Sequence, residues 1–83
     1  MGRLCELANI GTVIERKLIE VGIESPEQLK EIGSKEAFLR IRAIDPTACI
    51  HMLYGLEGAV QGIKDKFLSP EVKESLKSFF RSL

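Results

Sequence analysis

Side chains able to do covalent or acid–base chemistry are few in this sequence, and they do not converge. His51 is the single histidine, and no carboxylate nearby in sequence would orient its ring as a base requires. Cys49 lies two positions before it, on a different helical face, so the two cannot chelate one metal as an i,i+4 pair would. Cys5 and Cys49 could close one disulfide, but nothing places them in an oxidising compartment. Neither has the electropositive setting of a nucleophilic thiol, and Cys49 reads as a small buried hydrophobe on an apolar stripe. The acids are scattered as surface pairs, such as Glu27 and Glu31 around Lys30, and no glycine-rich phosphate loop occurs. These observations predict a non-enzymatic chain without metal, cofactor or small-molecule substrate.

Phosphate contact is the chemistry that the residue types do support. A short apolar helix ending in Asn9-Ile10-Gly11, followed by Thr12, Arg16 and Lys17, has the layout of a helix-hairpin-helix. Gly11 at the turn would let the backbone N–H groups that open the second helix point outward. Such groups, with the helix dipole behind them, suit a phosphate oxygen. Thr12 would add a hydroxyl, and Arg16 and Lys17 would add charge one turn on. Arg40 and Arg42 flank an inward Ile41 and could join them; the plain alternative for all these residues is a solvated face on a corner that merely packs. Lys73, Lys77 and Arg81 form one ridge on the last helix, where cations near a C-terminus are favoured by its dipole.

A second candidate surface comes from glycine spacing. Cys49, Leu53, Leu56, Val60 and Ile63 repeat at 4-3-4-3, a seam for neighbouring helices. Gly55, Gly58 and Gly62 interrupt that helix at about 1 kcal/mol each relative to alanine. Close approach of another backbone would compensate, from the last helix or from a second copy of the chain. His51 and Tyr54 would flank the contact. A protein partner or homodimer is therefore the alternative to DNA.

The elements that must position these residues are legible from helix punctuation. A first helix is expected over about Arg3 to Ala8 and a second from Thr12 to Val21, with Gly22 as a left-handed stop and Ile23 as its apolar contact. Ser25-Pro26-Glu27-Gln28 combines an N-cap, a first-turn proline and a capping box, and Gly33 ends the short helix that follows. Ser34 is expected to cap the next, with Ala37, Phe38, Ile41 and Ile44 inward. Asp45-Pro46 is expected to open the longest helix, to about Ile63, and Ser69-Pro70-Glu71 the last. There Val72, Leu76, Phe79, Phe80 and Leu83 form one stripe. No run of alternating β-branched residues competes. The expected class is all-α, a compact bundle of five to six short helices in a helix-hairpin-helix or SAM-like orthogonal arrangement.

Eighty-three residues fit a single domain over 1–83, near the lower limit for a core that folds without staples. Hydrophobic residues make up 45% and charged residues 29%, too apolar a mixture for a disordered chain. No window approaches the roughly 18 apolar residues of a membrane span. Met1-Gly2-Arg3-Leu4-Cys5-Glu6 meets an acid too early for the apolar core of a signal peptide. The cytoplasm is the expected compartment. Twelve basic residues balance twelve acidic ones, which predicts that any DNA contact is weak and made through the backbone.

Four stretches carry a resemblance. Leu7-Ala8-Asn9-Ile10-Gly11, Leu18-Ile19-Glu20-Val21-Gly22-Ile23, Leu29-Lys30-Glu31-Ile32-Gly33-Ser34-Lys35-Glu36-Ala37-Phe38 and Leu53-Tyr54-Gly55-Leu56-Glu57-Gly58-Ala59-Val60-Gln61-Gly62 resemble the C-terminal domain of the TfoX/Sxy family. The resemblance runs from about Leu4 to Lys77. It implies a helical fold related to helix-hairpin-helix domains and a regulatory role, since the family is named for regulators of DNA-transformation competence in which this domain follows a separate N-terminal one. Family members often carry proline where Ala8 stands and tryptophan near Asp65; here that segment is Lys64-Asp65-Lys66.

Overall fold

The computed structural model describes residues 3–83; Met1 and Gly2, the first two residues of the opening segment that reads as having no signal-peptide core, lie outside that range. Five α-helices follow one another among the described residues: α1 (Thr12–Glu20), α2 (Pro26–Ile32), α3 (Ser34–Ile44), α4 (Ile50–Gln61) and α5 (Pro70–Arg81). Two 3-10 turns, Leu4–Glu6 and Asp65–Phe67, complete the order. The described chain contains no strand. The fold is all-helical, as its punctuation predicts.

Helix ends follow their local chemistry. At the end of α1, Ile23 N–H reaches Leu18 O (2.9 Å) and Gly22 N–H reaches Ile19 O (3.0 Å). These two bonds close a Schellman motif around Gly22 at φ 88°, and Ile23 is fully buried behind it. Ser25 Oγ accepts from Gln28 N–H at the start of α2 (3.1 Å), and Ser69 Oγ accepts from Val72 N–H at the start of α5 (3.2 Å). The capping box differs in one partner: Gln28 Oε1 accepts from Glu24 N–H (2.6 Å), one residue before the cap.

Three expected boundaries are corrected. The first helix shrinks to Leu4–Glu6, because Leu7 is already extended and so short a span cannot sustain an isolated helix. Ser34 does not cap α3. Gly33 holds the cap position, while the Ser34 hydroxyl is buried and donates to Glu57 Oε1 of α4 (2.6 Å). Asp45-Pro46 does not open α4. The Asp45 carboxylate accepts from both the N–H and the hydroxyl of Thr47, and Ala48 N–H bonds Asp45 O. The side chain thus closes a turn that competes with helix. Cys49 becomes the extended N-cap of α4, exposed rather than buried. Ile44 (50% exposed) and Leu83 (48% exposed) likewise do not face inward as expected.

Helix α4 is the hub: α2, α3, α5 and the Asp65–Phe67 turn all pack on it. Leu53, Leu56 and Ala59 are fully buried there. Phe38 of α3 meets Phe80 of α5 with ring centroids 5.9 Å apart and planes tilted by 55°, a favourable aromatic arrangement.

The glycines of α4 mark an approach from elsewhere in the same chain. A Cβ on Gly58 would stand 2.5 Å from Asn9 Nδ2 and 2.7 Å from Ile63 O, and one on Gly55 would stand 3.4 Å from Asn9 Cβ. Gly62 is the left-handed residue that ends α4, at φ 79°. The expected neighbour, α5 or a second copy, is replaced at Gly55 and Gly58 by the Asn9 turn and the segment leaving α4. Gly58→Ala is expected to destabilise the fold by about 1–3 kcal/mol through overpacking. Gly55→Ala should stay within about 1 kcal/mol of wild type, because helix propensity offsets a tight contact. Urea unfolding of both variants checks this; equal losses at the two positions would contradict the packing described.

Candidate functional site at the Asn9 turn

The turn from Leu7 to Gly11 is built on Asn9 rather than on glycine. Asn9 takes φ 70° and is the one non-glycine residue with positive φ in the described chain. Asparagine tolerates that region because its short polar side chain finds local partners. Gly11 has φ −94° and ψ −176°, an ordinary extended N-cap, so the turn glycine of the sequence reading is not where the backbone requires one.

Every strong hydrogen-bonding direction of the Asn9 carboxamide but one is used inside the chain. Nδ2 donates to Gly55 O (3.3 Å) and Ile63 O (3.0 Å), while Oδ1 accepts from Asp65 N–H (3.2 Å). Asn9 therefore faces inward, and the start of α1 is left facing out. Gly11, Thr12, Val13 and Arg16 are all exposed. No side chain caps α1, and the first backbone donor to find a helical acceptor is Glu15 N–H, on Gly11 O (2.9 Å). The N–H groups of Thr12, Val13 and Ile14 remain open, as at any uncapped helix start.

The structure separates the candidate cations. Lys17 Nζ is bound to Asp45 Oδ2 at 2.8 Å, and Arg40 Nε to Glu36 Oε2 at 3.2 Å. The Arg42 guanidinium lies 5.0 Å from the centre of the Phe80 ring, and its buried Nη1 has no hydrogen-bond partner among the described residues. Arg16 is the member of the set that is exposed and free of any acid within ion-pair distance among those residues. Acids also reach the turn: Glu15 Oε2 accepts from Cys5 N–H (3.2 Å), and Glu15 Oε1 lies 3.7 Å from Arg3.

The second candidate surface does not gather on one open face. Gly55 and Gly58 are buried, Tyr54 is half-buried, and His51 and Gly62 are exposed. The His51 ring meets Tyr54 edge-on, centroids 6.3 Å apart. Sequence reasoning passed over two features. Asp45, expected as a helix cap, is the partner of Lys17. Phe67, between Lys66 and Leu68, is 67% exposed; an aromatic beside two lysines just after the Gly62 stop was the available signal.

These elements together form a TfoX C-terminal domain. The family model with that description matches residues 1–80, and the chain belongs to this family. It is 33% identical over 81 residues to Protein Sxy of Escherichia coli, covering 98% of this chain and 39% of that protein. Against the DNA transformation protein TfoX of Haemophilus influenzae it is 33% identical over 76 residues, 92% of this chain and 35% of that protein. The chain thus spans two-fifths or less of these relatives. Among solved structures, an uncharacterized protein from Listeria monocytogenes in a triclinic crystal is 52% identical, with a TM-score of 0.97 over 98% of this chain and 92% of that one. A protein of unknown function from the same organism, in a tetragonal crystal, is also 52% identical and gives 0.92 over 94% and 96%. No helix among the described residues is long and apolar enough to cross a membrane.

Two stability outcomes follow from this geometry. Asn9→Gly keeps the left-handed backbone but strands partly buried polar groups, and should cost about 1–3 kcal/mol. Asn9→Ala should cost about 1 kcal/mol more, because alanine resists positive φ; equal unfolding midpoints for the two would refute the backbone share. Hydrogen bonds from Lys17, then from the Thr47 hydroxyl and N–H, lower Asp45 from 3.8 to about 2. A depressed carboxylate contributes stability that is complete above its unfolded value and is lost as pH falls through its folded value. Lys17→Met should therefore be less stable than wild type at neutral pH, with the gap closing as pH falls from 3.8 through about 2. A gap that does not depend on pH would rule this account out.

Proposed function

We propose that this chain is a non-enzymatic regulatory module of the TfoX kind that makes weak contacts with the DNA backbone through the start of α1. The observation that carries the reading is the combination of open N–H groups at Thr12, Val13 and Ile14 with the unpaired Arg16. Backbone donors at a helix N-terminus accept a phosphate oxygen without side-chain rearrangement, and an arginine one turn on adds a bidentate donor. The Haemophilus influenzae relative is a DNA transformation protein, which supports a role connected with DNA transformation. This chain's share of that relative is 35%, so the reading concerns the domain and not the rest of that protein.

Lys17 and Arg40 are held by acids, so contact with one or two phosphates is what the start of α1 supports. The non-enzymatic reading rests on the dispersal of His51, Cys5 and Cys49, which share no acid–base partner in the hydrogen bonds described.

Fluorescence anisotropy with a labelled DNA duplex tests the proposal. Expected affinity lies at the weak end of non-specific binding, with Kd of about 10⁻⁴ M at physiological salt, tightening as salt is lowered with a log–log slope of roughly −1 to −2. Arg16→Glu should weaken the salt-dependent signal while leaving the helical circular dichroism unchanged. Absence of duplex binding by wild type at low salt ends the proposal.

A further inference from the structure

The chain has four phenylalanines and one tyrosine. Four of these rings are fully or partly buried, and Phe67 alone is exposed, at 67%. The remaining large exposed apolar side chains, Val13, Ile19, Leu39, Ile44 and Leu83, are aliphatic. Isolated exposed aliphatics are ordinary, but a solvated aromatic on a fixed turn has a ring face available for stacking.

Three hydrogen bonds tie the turn that presents Phe67. Phe67 N–H donates to Lys64 O (2.9 Å), Leu68 N–H to Asp65 O (3.1 Å), and Asp65 N–H to Asn9 Oδ1 (3.2 Å). Leu68 is buried on the far side as an anchor. The ring is therefore held out by a rigid element. Lys66 Nζ stands 5.3 Å from the Phe67 centroid, and neither Lys64 nor Lys66 is within ion-pair distance of an acid among the described residues. Both are exposed; Asp65 between them is half-buried.

We infer that the Lys64–Phe67 turn is a binding site for single-stranded nucleic acid, with an unpaired base stacked on the Phe67 ring and the flanking phosphates on Lys64 and Lys66. An aromatic face interleaved with cations that track a backbone is how sequence-tolerant single-strand sites are built. A duplex keeps its bases stacked on one another and offers this turn only phosphates. A protein partner fits less well: the exposed sequence neighbours of Phe67 are Lys64, Lys66, Ser69, Pro70 and Glu71, whereas interface cores gather apolar neighbours and are depleted in lysine. The site goes beyond the α1 contact and does not depend on it.

The probe is a fluorescein-labelled oligothymidylate, followed by anisotropy at low salt beside the duplex. The single strand is expected to bind about tenfold more tightly than the duplex, and Phe67→Ala to remove that advantage while leaving duplex binding unchanged. The protein has no tryptophan, so Phe67→Trp installs a unique reporter at the stacking position, expected to bind normally and to be quenched on titration with oligothymidylate. Lys64→Glu with Lys66→Glu should weaken binding and flatten its salt dependence. Arg16→Glu should reduce duplex binding more than single-strand binding, which separates failure of this site from failure of the α1 contact. The inference is overturned if wild type does not bind the oligonucleotide, if Phe67→Ala binds it as wild type does, or if the Phe67→Trp variant binds without quenching. Binding of polyglutamate with the same dependence on Phe67 would overturn it in favour of an acidic protein partner.

Discussion

The Asn9 carboxamide joins three parts of the chain that have no other reason to meet. Its acceptors and donor lie 46, 54 and 56 residues away in sequence, on Gly55, Ile63 and Asp65. Two of these groups belong to the end of α4 or the segment leaving it, where backbone amides lose helical partners and must be satisfied in some other way. Asn9 satisfies them from outside the helix. That solution imposes two conditions. The residue that does it must bend the chain through positive φ, and the helix it reaches must have no Cβ in the way. Asn9 at φ 70° and Gly58, whose Cβ would collide with Asn9 Nδ2, meet them together. A change at either position alone leaves the other without its purpose.

This coupling explains why the sequence reading located the elements and misplaced the contacts. Helix stops and starts are local: Gly22, Gly33, Ser25-Pro26 and Ser69-Pro70 act through neighbours three or four residues away, and all four stood where the sequence put them. The glycines of α4 were legible as an anomaly, since a helix carrying them needs compensation. Their partner was not legible, because nothing local distinguishes an asparagine facing α4 from one facing solvent. Asp45 shows the same limit from the other side. Asp-Pro is a good helix opening by local rule, yet its carboxylate is engaged by Thr47 and by Lys17, which is 28 residues distant. Tertiary pairing overrode propensity there and shifted the start of α4 to Ile50.

The candidate site was legible in kind and only partly in membership. The phosphate reading depended on a hairpin with its N–H groups turned out, and the exposed start of α1 has that form. Residue type alone does not show which of the charges expected to assist it have partners. Lys17 and Arg40 turn out to be tied to acids, and Arg42 lies against Phe80. Formal neutrality, twelve against twelve, is thus partly a local matter of paired neighbours rather than a uniform mixture.

Cations left without acids then matter more than the total. Arg16 follows the uncapped start of α1, and Lys64 and Lys66 flank the turn whose Asp65 N–H is bonded to Asn9. The clasp that holds the fold also fixes these two segments on either side of itself. On the functional reading and the inference proposed above, two weak contacts on one body would reinforce each other only where one strand spans both. On the functional reading proposed above, Asn9 needs to touch no ligand to matter for binding. Loosening it would free the turn that presents Phe67, since Asp65 N–H is bonded to Asn9 Oδ1. On these proposals, a small neutral domain contacts a polyanion without a basic face by holding Arg16, Lys64 and Lys66 in a constant relation.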